Sequence, residues 1–175
     1  MGSTVSICNN STCILNMAMK QITPLYYENE MQPGQCIERE VGKVWFTLEA
    51  KLWNGENGYD TFQDIVFPIT IITLTALTLL AGGIASASFL ASLAGISSTA
   101  GKLFLIGKVI IAAGASTTAK QIVQDWVSRS ALSVHGLYMG YDRTFLITGG
   151  PTCYLADGFQ VVKYQPGDEF QLEYL

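Results

Sequence analysis

Few side chains in this 175-residue chain could carry chemistry, and their spacing argues against catalysis. The single histidine, His135, stands in Ser133-Val134-His135-Gly136-Leu137, with Asp142 seven residues on. A serine hydrolase would have to take its base from that one imidazole, and no G-x-S-x-G elbow is present. A zinc site would need cysteines or carboxylates to complete it, yet no H-x-E, H-E-x-x-H or C-x-x-C spacing occurs. Gly95-Ile96-Ser97-Ser98-Thr99-Ala100-Gly101-Lys102 reaches a Gly-Lys pair, but the first glycine is misplaced for a phosphate-cradling loop and Leu103 follows. Glu28/Glu30 and Glu38/Glu40 alternate at a spacing of two, which on a strand puts both acids of a pair on one solvated face. The expectation is a non-enzymatic protein with no catalytic residue, no metal and no cofactor.

Cys8, Cys13, Cys36 and Cys153 are the candidate disulfides, and four cysteines allow three internal pairings. A hairpin about Asn9-Asn10-Ser11 would bring Cys8 to Cys13, leaving Cys36 and Cys153 to tie the first strands to the last. Buried free thiols are the alternative, and bonds between subunits would lock an assembly. Asn9-Asn10-Ser11-Thr12 holds two overlapping glycosylation sequons, which matter on the secretory route. Residues 1–20 lack a charged start followed by an apolar stretch, so the chain reads as cytoplasmic as written, or as extracellular or vacuolar if a leader was removed. Met1-Gly2-Ser3-Thr4-Val5-Ser6 also fits the loose myristoylation pattern. Trp45, Trp53, Tyr26 and Tyr59 read as sheet packing or loop anchors, with a sugar platform as the alternative.

The elements that must position these residues follow from charge. Only 24 side chains are charged, 10 basic and 14 acidic, where an ordinary domain of this length has roughly 44. A net charge of −4 excludes the basic surface that nucleic acid needs. Residues 1–64 balance at −4, residues 65–134 at +3 and residues 135–175 at −3. Both flanks read as strands. In Val44–Leu52 the residues Val44, Phe46, Leu48, Ala50 and Leu52 share one face, and Thr47, Glu49 and Lys51 share the other. Thr4–Cys8, Cys13–Met19, Thr144–Thr148, Cys153–Ala156, Phe159–Tyr164 and Glu169–Tyr174 are further strands, the last with Phe170, Leu172 and Tyr174 inward. Gln32-Pro33-Gly34-Gln35 and Gln165-Pro166-Gly167-Asp168 preset tight turns, read as reuse of one turn type rather than an internal repeat.

Between Asp64 and Lys102 lie 37 uncharged residues. Pro68 suits a helix start, and helices are expected over Ile69–Ala81, Ile84–Ala94, Lys102–Ala113 and Ala119–Leu132, the last opened by Thr118 and Gln121 as a capping box. The fold class expected is therefore α+β: a single domain with an antiparallel β-sandwich from residues 1–64 and 135–175 and an inserted hydrophobic helical block. The first two helices are too short to cross a bilayer separately. The leading expectation for function is a self-assembling structural protein, a homo-oligomer or lattice whose contacts include Ile72, Leu79, Gly83, Ala87, Leu90, Ala91, Leu105 and Ile106. The alternatives are a pore-forming protein that inserts residues 67–113 into membrane lipid, and a soluble binding module with a site on a sheet face. The expected partner is the chain itself, with lipid second and nucleic acid excluded.

Overall fold

The computed structural model describes residues 2–59, 70–72, 101–127 and 130–175. Their strands are β1 (Ser3–Asn9), β2 (Leu15–Lys20), β3 (Pro24–Met31), β4 (Cys36–Val41), β5 (Trp45–Leu52), β6 (Thr70–Ile72), β7 (Lys102–Ile106), β8 (Val109–Ala113), β9 (Leu132–Tyr138), β10 (Arg143–Gly149), β11 (Thr152–Ala156), β12 (Phe159–Lys163) and β13 (Phe170–Tyr174). They form three sheets, ordered β13-β10-β1-β4, β3-β2-β5-β9 and β11-β12-β8-β7-β6. The fold is mostly β, which corrects the expected α+β sandwich with a helical insert. The two chain ends do pair, through β1 and β10, but in parallel, with Ile7 opposite Phe145.

The helix expected over Lys102–Ala113 is instead the β7–β8 hairpin. Alternation is invisible here because β8 and most of β7 are buried on both faces. Phe104, Ile106, Val109, Ile111 and Ala113 enter the main core, whereas Leu103, Ile110 and Ala112 join Val161 in a second cluster on the opposite face. Leu103–Ile106 and Val109–Ala113 are apolar at every position, so the period of two cannot be separated from a helical pattern. Gly107 makes the hairpin possible: its φ is +57°, and a Cβ there would lie 2.4 Å from the Asn54 carbonyl oxygen. Of the helix expected over Ile69–Ala81, Thr70–Ile72 is strand, paired with Leu103–Leu105. The remainder of that stretch and the whole of Ile84–Ala94 lie outside the described residues. Thr118 does cap a helix, accepting from the Gln121 N–H at 3.2 Å, but α1 spans only Ala119–Ile122. A π-helical turn, Val123–Val127, follows it, and Leu132 already begins β9.

The seven strands expected in the flanks form near their expected bounds, and β3, β4 and β9 join them unannounced by the sequence pattern. Phe46, Leu48, Ala50 and Leu52 are buried, while Val44 precedes β5 and is exposed. In β13, Phe170 is buried but Tyr174 is exposed. All three sheets feed one core, through Ile7 and Phe145 from the first, Met17 and Leu48 from the second, and Phe104 and Ile111 from the third.

Two buried amides fasten the sheets to one another. Asn9, at the end of β1, donates through Nδ2 to the Cys13 and Met31 carbonyls at 2.7 and 3.0 Å. Gln160 of β12 accepts from the Ile14 N–H and donates to the Ile14 and Trp53 carbonyls. Both side chains are at most 1% exposed, so losing either partner set would strand a polar group in the core.

β1 and β2 belong to different sheets, so the expected hairpin between them does not form and Cys8 does not meet Cys13. The bonds are Cys8–Cys36 and Cys13–Cys153. Cys8 and Cys36 lie directly opposite each other on the antiparallel pair β1–β4. Cys13 and Cys153 join the segments that follow β1 and β10. Both Pro-Gly turns form as expected, with Gln35 donating to Gln32 at 3.0 Å, Asp168 to Gln165 at 3.2 Å, and φ of +81° at Gly34 and +93° at Gly167. More than the turn is shared between the chain ends. Thr4 and Ile7 of β1 recur as Thr144 and Ile147 of β10, both strands seven residues long, and Thr12 and Cys13 after β1 recur as Thr152 and Cys153 at the start of β11.

Candidate surface site: an apolar rim at one end of the second sheet

In the second sheet Lys20 pairs with Thr47 and Trp45 with Tyr138. That register brings the turn after β2, the start of β5 and the end of β9 to one end of the sheet. Nine large hydrophobic residues are exposed among those described, and five of them gather here: Ile22 (97%), Leu25 (51%), Val44 (38%), Trp45 (62%) and Tyr141 (67%). The Met139 N–H donates to the Val44 carbonyl at 3.0 Å, which holds the loop before β5 against the loop after β9. Trp45 lies 5.1 Å from Tyr138, centroid to centroid, at 45°, and Tyr138 lies 6.4 Å from Tyr141 at 79°. Three rings thus form a wedge of tilted planes rather than a flat shelf. Lys43 and Arg143, both exposed, stand beside it in the chain.

The opposite end is polar. One cleft of about 290 Å³ is lined by Asp125, Trp126, Leu132, Tyr164, Asp168 and neighbouring residues. The Tyr164 hydroxyl donates to Asp125 Oδ2 at 3.0 Å and accepts from Gln121 Nε2 at 3.3 Å, and the Tyr164 ring packs edge-on against Trp126 at 4.7 Å. Burial pushes the Tyr164 phenol up, and its bond to the Asp125 carboxylate adds to the rise. A second cleft of about 250 Å³ is lined by Asn16, Asn29, Glu30, Trp53, Gly55, Glu56 and Gly58. Asn16 and Asn57 are hydrogen-bonded at its edge at 2.8 Å.

Tyr59 leaves this loop and lies on the outer face of β2 and β5, under Lys51 at 4.5 Å and near Lys20 at 5.8 Å. Lys20 is ion-paired with Glu49. Burial drives the Tyr59 phenol well above its usual range, the Glu49 carboxylate pushes it further, and Ser130 pulls the other way. A phenol held protonated in this way is a poor base at neutral pH.

His135 is exposed on β9, with Nδ1 3.0 Å from Thr47 Oγ1 and Nε2 3.4 Å from Ser133 Oγ. Asp142 faces elsewhere and accepts from the Thr4 N–H at 2.7 Å. Among the described residues, no three His, Cys, Asp or Glu side chains are grouped to hold a metal ion, and no helix is long and apolar enough to cross a membrane.

Of the residues expected to make assembly contacts, three are described, and they lie on the neighbouring strands β6 and β7. Ile72 is in β6, Leu105 is half-buried in β7 beside the second cluster, and Ile106 is fully buried in the main core. Leu79, Gly83, Ala87, Leu90 and Ala91 lie outside the described residues. Of the four aromatic residues singled out in the sequence, Trp53 and Tyr59 are buried and Tyr26 packs edge-on against Phe46 at 6.2 Å. Trp45 alone joins the rim. Ile22 and Tyr141 gave a weak signal, as single apolar residues in turns, where periodicity carries no information, and Val44, expected inward by alternation, stands exposed just before β5.

No protein-family model, curated protein or solved structure matches the chain, so the geometry above is what a functional reading must rest on.

Proposed function

We propose that the protein is a non-catalytic binding module that seats its apolar rim in the interfacial zone of a lipid bilayer. The observation that carries this reading is the crowding of five exposed hydrophobic residues at one end of one sheet. Trp and Tyr suit that zone because each has an apolar body and a polar tip. The tilt of the three rings disfavours a glycan, which needs a flat aromatic face to stack on. Ile22 is 97% exposed in the turn after β2, a single side chain, whereas a homodimer interface calls for about 800 Å² of complementary surface on each partner. Lys43 and Arg143 would meet anionic headgroups. The 37-residue uncharged stretch of sequence supplies further apolar length for the same partner.

Co-sedimentation with phosphatidylcholine vesicles, with and without phosphatidylserine, tests the proposal. Binding is expected to both, tighter to the anionic vesicles. Trp45→Ala and Tyr141→Ala should each weaken it about tenfold, the equivalent of roughly 1.4 kcal/mol, which is part of the 1.5–3 kcal/mol for a fully buried side chain. A protein that ignores both vesicle types while dimerising, or binding a glycan panel, through the same residues would end the reading.

A further inference from the structure

The overlapping sequons can be told apart by the fold, because one presents a buried asparagine and the other an exposed one. Asn9 is fully buried. Its Nδ2 donates to two backbone carbonyls and its Oδ1 accepts from the N–H and hydroxyl of Ser11 at 3.1 and 2.6 Å. An N-linked sugar leaves an asparagine one N–H where the free amide has two, so Asn9 could not keep both carbonyl bonds or find room for a saccharide. Asn10 is its opposite. It is exposed at the tip of the turn after β1, held there by its backbone N–H, which donates to the Ile147 carbonyl at 2.8 Å. The acceptor pattern Asn10-Ser11-Thr12 is complete in the sequence.

A second, independent observation concerns the compartment. All four cysteines are joined in two intramolecular disulfides, and none is free. Such bonds form and persist where N-linked glycans are added, in the oxidising lumen of the secretory route. We propose that Asn10 carries an N-linked glycan in a chain that matures there. In the transfer, Asn10 Nδ2 forms a bond to the anomeric carbon of a lipid-linked oligosaccharide. The bond from that carbon to the lipid diphosphate breaks, the diphosphate leaves with the electron pair, and one amide proton is lost. The turn after β1 adjoins the start of β2, whereas the apolar rim lies beyond the end of β2. A glycan at Asn10 therefore projects from the far end of the second sheet and leaves the rim free.

The test is to express the full chain behind a cleavable secretory leader in eukaryotic cells and to treat the secreted protein with peptide N-glycosidase in ¹⁸O water. One glycan should be released, leaving labelled aspartate at Asn10. Asn10→Gln keeps a complete sequon at Asn9, so the folded, secreted variant is expected to carry no glycan. Secreted wild-type protein without a glycan, a label on Asn9, or a glycosylated folded Asn10→Gln protein would each overturn the proposal. The position of the label in the wild type decides the matter even if the variant is not secreted.

Discussion

The N-terminal and C-terminal segments follow the same course, a strand of the first sheet, a two-strand excursion, a Gln-Pro-Gly turn and a strand that returns to the first sheet, yet they are fastened differently. Where β1 and β4 are bonded through Cys8 and Cys36, the corresponding outward position of β10 is Thr148, whose hydroxyl donates to Glu173 of β13 at 2.9 Å. Register differs too. Val5 faces Arg39, but its counterpart Phe145 faces Tyr174, a slide of two positions that keeps the same residues facing inward. Before the turn stands Met31 in one segment and Tyr164 in the other, both buried. One framework thus tolerates covalent, hydrogen-bonded and purely apolar fastening, because the alternation of faces fixes the strands and the fasteners only adjust stability.

The Cys13–Cys153 bridge belongs to neither segment alone, and cutting it should have the largest effect. It closes a sequence separation of 140, against 28 for Cys8–Cys36. Chain entropy then predicts a loss of about 5 kcal/mol for Cys13→Ser with Cys153→Ser, and of about 3.6 kcal/mol for Cys8→Ser with Cys36→Ser. Urea unfolding of the two double variants checks the order. Equal losses would show that the bonds act through native contacts and not through the length of loop they close.

Tyr164→Phe should be milder, costing about 1 kcal/mol at neutral pH through the lost bond to Asp125. Its pH dependence is the sharper test. The folded phenol titrates above its ordinary value of 10, so its contribution is complete below pH 10 and is lost as pH rises beyond it, where the unfolded chain ionises first. Thermal melts between pH 9 and 11 should therefore fall more steeply for the wild type than for Tyr164→Phe. An unchanged slope would assign the alkaline sensitivity to Tyr59. Smallest of all should be Thr148→Val, within about 0.5 kcal/mol, since its hydrogen bond lies at the surface. A loss near that of the Cys8–Cys36 pair would mean that the two fasteners are equivalent after all.

Much of the flanking framework was legible in the sequence, for identifiable reasons. β5 alternates because only one of its faces enters the main core, and the two Pro-Gly turns are dictated by backbone chemistry that needs no tertiary context. β7 and β8 were illegible because both faces are buried and the polar half of the signal is missing. The cysteine pairing was illegible for a different reason: it depends on which sheet each strand joins, and β1 and β2 part company although only five residues separate them. At the candidate site, the exposure of Trp45 depends on where β9 and its loop come to lie beside β5, which no spacing within β5 encodes. Asn9 and Asn10, chemically identical neighbours, differ only in what the fold does with their amides.

The link between Cys13 and Cys153 also sets a mechanical limit. If the molecule were gripped at Thr4 and Glu173 and pulled, tension would pass from the first grip to Cys13 in nine residue steps, cross the bridge, and reach the second in twenty more. Such a tether can lengthen to about 100 Å, against roughly 590 Å for the same chain with the sulfurs reduced. Everything between the two cysteines would be shielded from the load.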